Sequence, residues 1–225
     1  MKTIKYSEIT PENIYRKRRS FIKKLGFGAS TLAFSSFPII NNALGKDRDE
    51  LTSYKDITTY NNYYEFGTSK GDPHRNSKMF KTQPWNISIE GEVDKPIELS
   101  MKEISDSFYS EERVYRLRCV EGWSMVIPWM GFSLSKLLTL VNPTSKAKFV
   151  EFESVYDPDQ MKGQRYPVLN WPYKEGLRID EAMHPLTTVV TGLYGKKLPN
   201  QNGAPLRIFI PWKYGFKSAK SNYKN

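Results

Sequence analysis

The sequence predicts an α+β domain with mixed sheets, short helices and long loops. Three observations carry that prediction. Apolar residues alternate at period two in several short segments, the mark of half-buried strands. Brief runs with helical spacing and recognisable start signals lie between them. The stretch between residues 152 and 205 is rich in Pro, Gly and Tyr, which suits long surface loops. At 225 residues the chain has material for one substantial core.

The elements follow in order. Residues 46–58 are polar and charged and read as a linker, which places the domain at 59–225. In WNISIEGEV (85–93), Trp85, Ile87 and Ile89 share one face of a strand. Ser100 with Glu103 is a capping-box pattern for a short helix through Phe108. In RVYRLRCV (113–120), Tyr115, Leu117 and Cys119 alternate with Arg116 and Arg118, so Cys119 stands at a strand end on the apolar side. Ser133 is placed to cap a helix in which Leu134, Leu137, Leu138 and Val141 form one apolar stripe. KFVEF (148–152) and PLRIFIP (205–211) read as further strands.

The formal charge of +10 is mostly in the first 45 residues, which hold eight Lys or Arg against two Asp or Glu. The rest carries scattered pairs such as Lys196 and Lys197, so no nucleic-acid partner is expected. Residues 1–45 divide into a basic stretch ending RKRRSFIKK, a weakly apolar run and small residues at Ala43 and Gly45. Arg18-Arg19 followed by Ser20, Phe21, Ile22 and Lys23 resembles a twin-arginine signal, the address for export of folded cargo to the periplasm. Export after folding suits a protein whose cofactor is inserted in the cytoplasm.

Cys119 is the single cysteine, so no internal disulfide is available to a protein bound for an oxidising compartment. Zinc would be poorly served by one thiol and the distant His74 and His184. Two readings are left in balance: a core thiol, or a thiolate stabilised by the neighbouring arginines and polar turn as a metal ligand or nucleophile.

The stretches YNNYYEFG (60–67), RLRCVEGWSMVIPWMGF (116–132), DEAMHPLT (180–187) and LPNQNGAPLRIFIPWKYGFKSAKS (198–221), together with the leader, resemble the catalytic subunits of periplasmic protein-methionine-sulfoxide reductases. These are molybdopterin enzymes of the sulfite-oxidase fold superfamily. Family members continue past KYGFKSAK whereas this chain ends in SNYKN, so the resemblance implies a domain without the family's last strands and loops.

By resemblance, Cys119 is the thiolate ligand of one molybdenum carried by one pterin, and therefore the catalytic and metal position. The same matching gives Asn61, Tyr64, Glu65, Ser154, Asn202, Arg207, Ser218, Ala219 and Lys220 as cofactor-binding positions, with Ser154 standing where the family has threonine. The residue types suit the task. A pterin ends in a phosphate, which wants a guanidinium, an ammonium and backbone N–H groups near small residues such as Gly203 and Gly215. Its amide-like edge wants asparagines.

The implied reaction is oxygen-atom transfer from methionine sulfoxide in oxidised periplasmic proteins. Electrons would come from a quinone-linked membrane haem b subunit of the MsrQ type, because the chain has no haem or iron–sulfur motif. Sulfite oxidation on the same fold, or an inactive fragment without cofactor, are the alternatives.

Overall fold

A computed structural model describes residues 50–224. The leader with its arginine pair, and residues 46–49, lie outside the described residues. Ten strands and five α-helices are found among those described, in the α+β arrangement expected.

The described end of the expected linker is partly helical. Helix α1 (Tyr54–Thr59) starts inside it, where the Ser53 hydroxyl accepts a hydrogen bond from the Asp56 N–H at 3.1 Å. Only one residue of this helix is strongly apolar, Ile57, but it is fully buried and anchors the helix to the core. Helix α2 (Asp72–Asn76) follows after a 3₁₀ turn at Tyr64–Phe66.

Strand β1 (Asn86–Ile89) buries Ile87 and Ile89 and pairs antiparallel with β2 (Ile97–Ser100). Helix α3 (Met101–Ser107) begins on the capping box foreseen. The Ser100 hydroxyl accepts from the Glu103 N–H at 3.2 Å, and the Glu103 carboxylate accepts from the Ser100 N–H at 2.8 Å.

Strands β3 (Glu111–Arg118) and β4 (Ser124–Ser133) form a long antiparallel hairpin, and helix α4 (Leu134–Val141) leaves its end. All four stripe residues of α4 are buried. Ser133 makes no side-chain cap, contrary to expectation. Its hydroxyl instead donates to the Pro185 carbonyl at 2.7 Å and accepts from Arg113, tying the helix start to a loop distant in sequence.

Strand β5 (Phe149–Ser154) pairs with β6 (Lys174–Arg178), and short helix α5 (Ile179–Ala182) leads to β7 (Thr188–Leu193), β8 (Lys196–Lys197), β9 (Arg207–Phe209) and β10 (Asn222–Lys224). The region read as loops thus contains three strands and a helix. Strand β7 lies between β4 and its partners β8 and β9, and five of its six residues are buried. Burial on both faces leaves no period-two alternation to read. Strand β9 is shorter than the run that suggested it, bracketed by Pro205 and Pro211.

One five-stranded sheet has the order β2-β1-β10-β5-β6; the other runs β3-β4-β7-β8, with β9 also on β7. Strand β10 is parallel to β1 and antiparallel to β5, so residues 222–224 lie inside the first sheet. The main apolar cluster unites β1, α4, β5 and β9 through residues such as Ile87, Leu137, Phe152 and Ile208. A second gathers Ile57, Ile127, Trp129 and Phe209. Among the described residues, no helix is long and apolar enough to cross a membrane.

Candidate active site

A cavity of about 340 Å³ opens beside the second cluster, with walls from the segment after α1, the turn after β3, the inner face of β4, and the loops around Asn202 and Lys220. Cys119 reaches it because β3 ends one residue earlier. The Cys119 N–H donates to the Trp123 carbonyl at 2.9 Å, and the Gly122 N–H donates to the Cys119 carbonyl at 3.0 Å. Gly122 sits at φ +89°, a conformation costly for any residue with a Cβ. This tight turn carries the thiol to the cavity wall.

The arginines flanking Cys119 do not stabilise the thiol as the sequence suggested. Arg116 donates to the Ser124 hydroxyl at 3.0 Å and Arg118 to the Pro211 carbonyl at 3.5 Å, because strand alternation turns both away from the cysteine. The side chain that reaches the sulfur is Asn62, whose amide nitrogen lies 3.2 Å from Sγ. Asn62 was overlooked; its only signal was adjacency to Asn61.

The cations that share the cavity with the thiol come from further along the chain. Arg207 and Lys220 both line it, and neither joins a carboxylate ion pair among the described residues. Arg207 donates to the Asn202 carbonyl at 3.0 Å, and its guanidinium lies 5.1 Å from the centre of the Trp129 ring. The Lys220 ammonium lies 5.1 Å from the Tyr63 ring centre.

Burial pulls the Arg207 guanidinium down to about 10. It also holds Lys220 below the ordinary lysine value, with repulsion from Arg207 adding to the effect and Glu65 opposing it. The Glu65 carboxyl is raised by its own burial, against the attraction of Lys220. Tyr63 is raised for the same reason, and its hydroxyl donates to Ser221 at 2.5 Å.

The asparagines form a connected pair. Asn202 donates through its amide nitrogen to the Ile57 carbonyl at 2.9 Å and to Asn61 Oδ1 at 3.1 Å. Asn61 Nδ2, Asn202 Oδ1, Asn62 Oδ1 and Arg207 Nε are all buried without a partner. Unpaired buried polar atoms cost roughly 1–3 kcal/mol each, so four around one cavity imply a polar ligand.

Tyr64 and Glu65 also line the cavity, whereas Ser154, Ser218 and Ala219 do not. Ser154 donates to the Lys220 carbonyl at 2.8 Å and so braces the residue that does face it. Ser218 and Ala219 are buried behind it; the Ala219 carbonyl accepts from the Ile208 N–H at 2.9 Å, holding the 218–220 segment against β9. Gly203 adopts φ +107°, and a Cβ there would come within 3.0 Å of the Lys220 side chain.

The fit to a phosphate-ended pterin rests on this inventory. Buried Arg207 and half-buried Lys220 form no carboxylate ion pair among the described residues, amide donors and acceptors stand unsatisfied, and one soft thiol lies on the same wall. The residues expected from sequence therefore converge on one site, seven lining it and three behind it. His74 and His184 are elsewhere: His74 contacts the Thr58 carbonyl, while His184 packs against Trp212.

Comparison with known proteins agrees. The oxidoreductase molybdopterin binding domain matches residues 74–222. The chain is 53% identical to the protein-methionine-sulfoxide reductase catalytic subunit MsrP of Xanthomonas axonopodis pv. citri (strain 306), covering 96% of this chain and 71% of that protein. It is 49% identical to the Burkholderia mallei (strain ATCC 23344) protein of the same name, covering 97% and 71%. Among solved structures, the sulfane dehydrogenase SoxCD from Paracoccus pantotrophus superposes with a TM-score of 0.54 at 14% identity. That match covers 96% of this chain and 59% of the SoxCD chain, and it establishes the fold alone. This chain belongs to the MsrP family of protein-methionine-sulfoxide reductase catalytic subunits, built on the oxidoreductase molybdopterin binding domain.

Proposed function

We propose that the protein works in the periplasm, returning methionine sulfoxide in oxidised proteins to methionine at a centre of one molybdenum and one pterin. Its electrons come from a quinone-linked membrane haem b subunit of the MsrQ type, and the twin-arginine machinery exports it folded. The observation that carries this reading is the meeting of Cys119, Asn62, Arg207 and Lys220 around one cavity, with buried unpartnered polar atoms on three of its lining side chains, Asn62, Asn61 and Asn202, and on Arg207.

Each residue has a task that follows from its chemistry. Arg207 and Lys220 hold the terminal phosphate by charge-assisted hydrogen bonds. Asn61 and Asn202 present amide edges to the heterocycle, while Tyr64 and Glu65 shape the adjoining wall. Cys119 offers its thiolate, and Ser154, Ser218 and Ala219 keep Lys220 in place. Molybdenum in this setting supplies two-electron oxygen-atom transfer. Leu117, Met125, Ile127 and Trp129 form an apolar wall that limits water. Val120, Leu169 and Phe216 line the cavity yet remain substantially exposed, which suits a thioether side chain arriving on another protein.

The test joins location to activity. Protein recovered from the periplasmic fraction should contain molybdenum and, with a reduced viologen, convert methionine sulfoxide in an oxidised protein to methionine without appreciable sulfite oxidation. Replacing Arg18-Arg19 with Lys-Lys should leave it in the cytoplasm. Sulfite oxidation without sulfoxide reduction would transfer the assignment to the sulfite-oxidising alternative.

Lys220 adds a pH dependence. The folded, ligand-free protein binds the Lys220 proton more weakly than the unfolded chain, whose lysine titrates near 10.5. Stability of the ligand-free protein should therefore rise as pH passes through the lowered value towards 10.5, because there the unfolded state holds more protons. An anionic phosphate reverses the preference, so pterin affinity should fall over the same interval with uptake of a proton. Calorimetric titration in buffers of different ionisation enthalpy checks the proton uptake and urea unfolding across the same pH range checks the stability; Lys220→Met should leave only the uptake that Arg207 contributes near 10.

A further inference from the structure

We infer that Glu121, clamped by Lys70, is a positioning residue that fixes which way the Asn62 side-chain amide points at the Cys119 sulfur. The inference rests on the proposed reaction site but assigns a role to residues outside the matched cofactor set. Three donors converge on the Glu121 carboxylate. One oxygen accepts from the Lys70 ammonium at 2.8 Å; the other accepts from the Trp123 indole N–H at 2.8 Å and the Asn62 amide at 3.2 Å.

An ionised carboxylate only accepts hydrogen bonds, so it dictates the orientation of a neighbouring amide. Asn62 must turn its NH₂ group towards Glu121. That group has two hydrogens, and its nitrogen also stands 3.2 Å from Cys119 Sγ. With the nitrogen committed to carboxylate and sulfur, Oδ1 is left on the other side, buried and unpartnered. Were the amide reversed, its oxygen would face both a carboxylate and a thiolate, two repulsive contacts. Glu121 therefore makes Asn62 a donor to the sulfur and leaves Oδ1 as a free acceptor.

The clamp is itself ordered by local structure. The turn that carries Cys119 to the wall also carries Glu121 and Trp123, so sulfur, carboxylate and indole share one short rigid segment. Lys70 and Asn62 arrive from a separate segment, whose ends are tied by the Asn61 N–H donating to the Lys70 carbonyl at 2.9 Å. Two tight loops are thus joined by one carboxylate. A hydrogen bond to a thiolate draws charge from the sulfur, so its presence or loss changes how strongly that sulfur donates to a bound metal.

The experiment compares Glu121→Leu with Glu121→Gln in the molybdenum-loaded protein. Leucine removes every acceptor and frees the Asn62 amide to reverse. Glutamine keeps one carbonyl oxygen, which can remain on the Trp123 and Asn62 side while the partly exposed Lys70 swings into water. Glu121→Leu should hold normal molybdenum and pterin but show shifted g-values in the electron paramagnetic resonance spectrum of the metal and about tenfold slower turnover. Glu121→Gln should keep a spectrum close to wild type. Asn62→Leu should reproduce the Glu121→Leu shift, and the double variant should add nothing to it.

A wild-type spectrum for Glu121→Leu would overturn the role. So would equal shifts in the leucine and glutamine variants, which would make charge rather than amide orientation the operative property. In the metal-free protein, the Asn62 side-chain amide resonance should move in Glu121→Leu and stay in Glu121→Gln. No movement in Glu121→Leu would again overturn the role. That arm holds even if molybdenum loading fails, so a failed assignment of the reaction is distinguishable from a failed positioning role.

Discussion

Replacing Cys119 with alanine should yield folded protein that retains no molybdenum and reduces no sulfoxide. The two parts of this expectation have separate causes. Cys119 is only half-buried, makes no disulfide, and its backbone bonds within the turn do not involve the side chain. Asn62 loses one acceptor but keeps Glu121. Stability should consequently change by less than about 1 kcal/mol, the usual range for substitutions outside a packed core. The metal, by contrast, loses the soft anionic ligand that this chain would supply, and a neutral methyl group offers no replacement. Elemental analysis and thermal melting on the same sample separate the effects. Equal metal in mutant and wild type would remove Cys119 from the centre, and a collapse of melting temperature would make it a core residue instead.

Ending the chain at Ser221 should prevent stable folding altogether. Strand β10 joins the two halves of the first sheet, with Ser88 opposite Lys224 on one side and Asn222 opposite Ser154 on the other. The Trp85 indole N–H donates to the Asn222 carbonyl at 2.9 Å, and the Asn222 side chain is fully buried. Without β10 the order β2-β1-β10-β5-β6 becomes two separate hairpin pairs, each with open edges. Two-stranded pairs are marginal in water, so the sheet would not persist as a layer. The shortened protein should be mostly insoluble, and its soluble part should lack a cooperative urea transition. A wild-type midpoint would show that β10 is dispensable.

Much of the fold was legible where a local signal and its tertiary use coincide. Ser100 and Glu103 formed the box their spacing foretold, and Leu134, Leu137, Leu138 and Val141 turned one face inward as a helix must. Ser133 misled because the same hydroxyl can cap a helix or bond a remote carbonyl, and only the tertiary structure brings Pro185 to it. Strand β7 was hidden by being buried on both sides. At the site, individual positions were matched by motif, but the partnership of Asn62 with Cys119 spans 57 positions in sequence. No periodicity encodes such a contact. Ser154 illustrates the converse: its position was identified, but its hydroxyl supports Lys220 from behind.

The placement of residues 218–224 also governs when this protein can mature. Lys220, backed by Ser218 and Ala219, completes one wall of the cavity, and the next residues thread between β1 and β5, yet every other described element precedes them in the chain. A ribosome releases the N-terminal parts first, so β1, β5 and β9 with its Arg207 must wait for residues 218–224. During elongation the hairpin halves remain apart and the Lys220 side of the cavity does not exist. Cofactor loading is thereby confined to the time after this segment has emerged, and a nascent chain stalled before it has neither a closed sheet nor a complete pocket to load.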